Sequence, residues 1–189
     1  KLAALNHAIA ISPLAIEAHE MKIDLLVTMK RFDEALAAAA VGGWGDRPPV
    51  ALRARRARVA AARGDTAGAI SRMREVLDDD PNYAAGWELL ADWHAEREEW
   101  PAYLAAAREL CRVTPNDAKA LGYLCHAMLR AEPGVDVRPH LRRALHLKPD
   151  YAYAGYELFD LEFAAGDLDA AERAIQTLSA HLDNGHVRQ

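Results

Sequence analysis

Apolar residues recur along this chain at three- and four-residue spacings, the signature of amphipathic helices rather than strands. One stripe runs Leu168, Ala171, Ile175, Leu178, Leu182, and a shorter one, Leu2, Leu5, Ala8 and Ile9, precedes Pro13. Compact breaks separate the stripes. Gly64-Asp65 and Gly166-Asp167 each join a residue suited to a left-handed helix stop with one suited to capping the next helix. Pro101 stands where another helix would begin, a place that tolerates proline because its missing N–H would be unpaired there anyway. The pattern predicts helical hairpins from end to end.

The hairpins recur with a fixed step. Pro81, Pro115 and Pro149 stand 34 residues apart and close similar phrases, LDDDP, CRVTP and LHLKP. The same step taken backwards reaches Arg47, beside Pro48, and then Pro13. It sets unit starts at Ile16, Val50, Ala84, Ala118 and Ala152. Trp87, Leu90, Ala91 and His94 follow the third start, Phe32 and Ala35 lie in KRFDEAL of the first unit, and Ala69 and Ala171 follow the two Gly-Asp turns.

In this spacing and in these residues the chain resembles the tetratricopeptide repeat family. The resemblance implies an all-α solenoid, a right-handed superhelix of antiparallel helix hairpins. It divides the chain into the second helix of a truncated leading repeat (1–15), five repeats (16–49, 50–83, 84–117, 118–151 and 152–185) and a tail (186–189). Tyr103 departs from the pattern, replacing the small residue expected where two helices cross.

Three other places depart from it. The second helix of the first repeat, expected from about Phe32 to Val41, gives way to GGWGDRPP, with Trp44 mid-loop. Trp44 is a candidate contact residue, but loop tryptophans commonly tuck back onto the core. In the fourth repeat EPGVDVRP replaces the tight turn, so its second helix is expected to start near Arg138 or Pro139, a turn late. In ALRARRAR, Arg53 and Arg56 fall where packing residues are expected, leaving Leu52, Ala57, Val59 and Ala60 as the stripe of a rotated helix. At the far end Glu172, Gln176 and Ser179 replace apolar residues such as Ile70 and Leu77, the polar face of a capping repeat. The start, a lone second helix without methionine, suggests that residues precede Lys1. Its face at Leu5 and Ala8 offers a surface for self-association.

Carrying the family's concave-face positions over gives Glu17, Glu20 and Asp24 from the first repeat and Arg58 from the second. Glu88, Asp92 and Glu96 follow from the third, Lys119, His126 and Arg130 from the fourth, and Tyr153, Tyr156, Asp160 and Phe163 from the fifth. The family's carboxylate clamp would place lysine and asparagine at Glu20 and Asp24, and these acids repel a carboxylate. The implied ligand is a protein or peptide with basic groups near repeats one and three and stacking near Tyr153 and Tyr156. Against this, neighbouring helices can satisfy one another, Arg58 with Glu88 or Asp92 and Lys119 or Arg130 with Glu96, in surface pairs contributing about 0–1 kcal/mol each.

Composition removes other function classes. A net charge of −5 argues against nucleic acid, although residues 50–76 hold seven arginines, because no aromatic residue is interleaved with them. Those arginines are expected to pair with the acids of repeats one and three. No run of apolar residues is long enough for membrane insertion. The chain shows no GxSxG, P-loop, HExxH or GxGxxG motif, its eight histidines are scattered, and no cofactor, metal or catalytic residue is implied. Cys111 and Cys125 read as packed thiols, and two cysteines cannot build a disulfide framework, which fits a cytoplasmic protein better than a secreted one. Abundant alanine and arginine suggest a bacterial source. The expected function is a non-enzymatic binding module. The alternative is an appendage of a larger bacterial glycosyltransferase- or methyltransferase-like enzyme that contacts other domains of its parent chain.

Overall fold

A computed structural model of the chain describes residues 1–40, 44 and 48–181. Expectations that fall on Val41, on most of the glycine-rich loop, on Leu182 and on the tail lie outside them. The described residues hold eleven helices and no strand: α1 (Leu2–Ile11), α2 (Ile16–Thr28), α3 (Phe32–Ala39), α4 (Val50–Ala62), α5 (Thr66–Asp79), α6 (Ala84–Glu96), α7 (Trp100–Val113), α8 (Ala118–Ala131), α9 (Arg138–Leu147), α10 (Ala152–Ala164) and α11 (Leu168–His181). The fold is all-α, of the helix-hairpin solenoid class. Contacts divide it into two units, Lys1–Gly86 and Trp87–Gln189, with the division inside α6.

In the first unit α2 packs on α1, α3 and α4, and α4 packs on α5. Its core gathers Ile23, Leu26, Ala35, Leu52 and Val59, with Trp44 packed against it. Trp44 therefore tucks back, its ring edge-on to the buried His19 at 6.0 Å between centroids. On α4 the buried stripe is Leu52, Ala54, Ala57, Val59 and Ala60. Arg53 faces away from it, pairing with Asp79 and donating to the Glu75 carbonyl at 2.9 Å.

In the second unit α7 packs on α8, α8 on α9, α9 on α10 and α10 on α11. Leu121, Cys125, Val137, Leu141, Leu145 and Leu158 form its core. The fourth hairpin's second helix does start at Arg138, with Pro139 in its first turn. On α11 the buried residues are Ala171, Ala174 and Leu178, while Leu168 is 61% exposed and shares a groove with Phe159 and Phe163 of α10.

Four hairpin turns share one stop. The chain crosses into left-handed φ at Lys30 (58°), Gly64 (92°), Glu98 (56°) and Gly166 (80°). The next N–H then donates to the carbonyl five residues back: Arg31 to Leu26 at 2.9 Å, Asp65 to Ala60 at 2.9 Å, Glu99 to His94 at 2.9 Å and Asp167 to Glu162 at 3.0 Å. This is the Schellman arrangement. Asp65 and Asp167 then cap α5 and α11, accepting from Gly68 N and Ala170 N, each at 2.9 Å.

Glycine makes this turn without strain, whereas an L side chain there costs about 1–2 kcal/mol, offset in part by glycine's larger unfolded-state entropy. Glu98 is exposed. Glu98→Gly should therefore stabilise the chain by about 0.5–1 kcal/mol, read as a higher urea midpoint at unchanged slope. An unchanged or lower midpoint would show that the turn is not strained.

Candidate partner-binding site

The aromatic residues of the second unit converge. Tyr103 enters from α7, Lys119, Gly122, Tyr123 and His126 from α8, and Tyr153 from the first turn of α10, just after Tyr151 at its N-cap. Together they line an open cup of roughly 410 Å³. Tyr103 forms the floor at 2% exposure, its hydroxyl 3.1 Å from His126 Nδ1. The Tyr103 ring stands edge-on to Tyr123 at 6.4 Å and to His126 at 5.6 Å, and His126 stands edge-on to Tyr153 at 6.5 Å. Edge-to-face contacts of this kind hold rings in one geometry as well as burying area.

Gly122 makes the cup possible, because a Cβ at that position would fall 2.1 Å from the Tyr151 hydroxyl. The Tyr123 hydroxyl donates to Asp92 Oδ1 at 2.5 Å. Lys119 Nζ donates to Glu88 Oε1 at 2.6 Å and lies 5.7 Å from the Tyr123 ring centroid. Burial, and then the charge of Arg130, hold His126 below the usual histidine pKa, so its ring is neutral at pH 7. Tyr153 differs from its neighbours: its hydroxyl is buried and has no hydrogen-bond partner. Beside it Glu157 is raised from the usual carboxylate range by burial and then by Asp160, with Arg130 acting the other way.

Of the anticipated groove residues, Lys119, His126 and Tyr153 line this cup, while Glu88 and Asp92 hold its Lys119 and Tyr123. Glu96, Tyr156, Asp160 and Phe163 are exposed on α6 and α10. Arg130 lies 5.4 Å from the Trp100 ring centroid and Lys119 bonds Glu88, so neither makes the pairing expected with Glu96. Tyr103, Gly122, Tyr123 and Tyr151 were not anticipated. The available signals were Tyr103 at a position meant for a small residue and a glycine on the lining face of α8.

Glu17, Glu20, Asp24 and Arg58 belong to the first unit. Arg55 meets Glu20 at 3.4 Å and Asp24 at 3.1 Å, and Arg58 meets Asp24 at 3.6 Å. Arg63 meets Asp33 at 3.0 Å. Much of the basic stretch is thus spent on the acids of the first hairpin, as expected, with Arg58 finding Asp24 there. Glu17 is exposed.

Among the described residues no group of three or more histidines, cysteines or acids could hold a metal ion. None of their helices is long and apolar enough to cross a membrane. Burial pushes the thiols of half-buried Cys111 and fully buried Cys125 up to about 11 and about 12, leaving scarcely any thiolate at neutral pH.

Comparison with known proteins places this geometry. No curated protein matches the chain. Residues 135–189 match the model of a family described as tetratricopeptide repeat. Among solved structures, MamA (residues 41 to the end) from Desulfovibrio magneticus RS-1 is similar with a TM-score of 0.69 at 16% identity, over 89% of this chain and 97% of that one. MamA of AMB-1 is similar with a TM-score of 0.66 at 13% identity, over 92% and 94%. YrrB, described as a TPR protein with an unusual peptide-binding site, gives 0.60 at 15% identity, over 82% and 80%. Residues 135–189 thus carry the tetratricopeptide repeat signature, and the chain shares its all-α fold with these solved structures across most of its length.

Proposed function

We propose that this chain is a non-enzymatic protein-binding scaffold of five 34-residue repeats starting at Ile16, and that the tyrosine cup receives an extended peptide segment carrying a basic side chain. The observation that carries this reading is the Tyr153 hydroxyl, buried and unpartnered at the wall of an open cup. Leaving such a group unpaired costs about 1–3 kcal/mol, which a peptide carbonyl accepting from it would recover. A lysine or arginine of the peptide would lie over the ring faces, a contact worth about 0.5–2 kcal/mol. It would also add positive charge beside Glu157 and Asp160. Exposed Glu17 offers the first unit's own contact for a basic group. That YrrB has a peptide-binding site supports a peptide as the occupant.

The test is a random-peptide selection on the full chain, followed by affinities of the selected peptides for two variants. Lysine- or arginine-containing segments should be enriched. Tyr153→Phe should weaken them about tenfold by removing one hydrogen bond. Glu157→Gln should weaken binding yet raise the urea midpoint at pH 7, and the sign is fixed by the titration. A carboxylate whose folded pKa lies above its unfolded value of 4.5 stabilises the fold when protonated and loses that contribution as pH rises through the folded value. Glutamine keeps the neutral form at every pH. Enrichment without basic residues, or full affinity in both variants, overturns the reading.

A further inference from the structure

The 34-residue step from Leu26 passes through Ala60, His94 and Met128 to Glu162, so a carboxylate occupies a position that is buried or half-buried in every hairpin. Glu162 is 3% exposed. Such a group needs matched charge. Arg142 of α9 donates to one of its oxygens, and Arg138 lies 3.5 Å from the other. The Arg142 side chain is nevertheless 57% exposed, because it forms one wall of a cleft of roughly 420 Å³ between α9, α10 and α11. Arg173 of α11 and His146 of α9 also line it, and neither has an ion-pair partner among the described residues. Leu145 and Leu158 supply an apolar lining.

Two guanidiniums thus share the cleft with one carboxylate, which Arg138 already helps to neutralise. The balance favours an anion, and the apolar lining favours an aliphatic neighbour. We infer that this cleft is a second binding site, distinct from the tyrosine cup, which takes a glutamate or aspartate side chain adjoining an aliphatic residue in an acidic partner peptide. Arg173 supplies the unpaired charge, Arg142 a guanidinium held in place by Glu162, and Leu145 and Leu158 the seat for the aliphatic group.

The probes are acetyl-Leu-Glu-Leu-Glu-amide and its glutamine counterpart, titrated into the full chain and followed by amide and side-chain NMR. The glutamate peptide should bind about tenfold more tightly, since hydrogen bonds to charged groups are the stronger ones. Its shifts should centre on Arg142, His146 and Arg173 rather than on Lys119 and Tyr123. Added salt should weaken the glutamate peptide alone. Arg173→Gln should remove most of the preference and leave helical circular dichroism and the binding of basic peptides unchanged. Equal affinity of the two peptides, shifts centred on the cup, or a preference that survives either Arg173→Gln or high salt overturns the inference. If Arg173→Gln impairs folding, the wild-type salt and peptide comparisons decide alone.

Discussion

Replacing Leu141 with alanine is expected to lower the unfolding free energy by about 3–4 kcal/mol. Leu141 is wholly buried and belongs to a helix that begins late, after Glu132–Val137 have replaced the tight turn. With only ten residues, α9 holds to the second unit through Leu141, Ala144 and Leu145, so the substitution removes one of its two large anchors. The loss combines the transfer free energy of three methyl or methylene groups with the cavity left among Leu121, Cys125 and Leu158, which rigid helices cannot fully close. Leu141→Met, which keeps the volume, should cost less than about 1.5 kcal/mol. Urea unfolding followed by circular dichroism separates the two. A loss below about 1 kcal/mol for the alanine variant would mean that α9 is held by something other than its apolar stripe.

The helix starts were legible because local rules and the repeat agree. The first helix of each hairpin begins at Ile16, Val50, Ala84, Ala118 and Ala152, the step that the prolines set. The Gly-Asp turns were legible for the same reason. The turns at Lys30 and Glu98 were not, since no glycine marks them. There the packed hairpin imposes a left-handed residue on a sequence that does not favour one. The stripe of the last helix says which residues share a face, but not that Leu168, at its first position, stays 61% exposed.

The candidate site was legible in part. The concave-face positions implied by the resemblance, carried over residue by residue, are how Lys119, His126 and Tyr153 were found. Which residues they meet depends on side chains arriving from other helices. Tyr103 meets His126 across 23 positions, and Lys119 meets Glu88 across 31. Charge alone could not choose Glu88 over Glu96, nor Asp24 over the third-hairpin acids for Arg58, because each choice turns on rotamer reach. Gly122 was readable only as a missing side chain. Its meaning lies in the Tyr151 ring that fills the space.

The Glu162 cluster yields the other large effect. Replacing Arg138 and Arg142 together with alanine should cost about 3–5 kcal/mol, because it strands a buried carboxylate in a helix core. Adding Glu162→Leu to that variant should return most of the loss. An apolar side chain at this position matches Leu26 and Ala60, and exchanging a buried ion pair for well-packed apolar groups is often neutral or stabilising. The comparison separates two reasons for a charged residue in the core. If the triple variant is as stable as the wild type, or more so, the carboxylate does not serve the fold, and its remaining physical consequence is to hold Arg142 at the cleft. The triple variant should then have lost the preference for the glutamate peptide. If it remains several kcal/mol less stable than the wild type, Glu162 is structural. The wild-type peptide and salt comparisons and the preference lost in Arg173→Gln would then carry the cleft as a binding site.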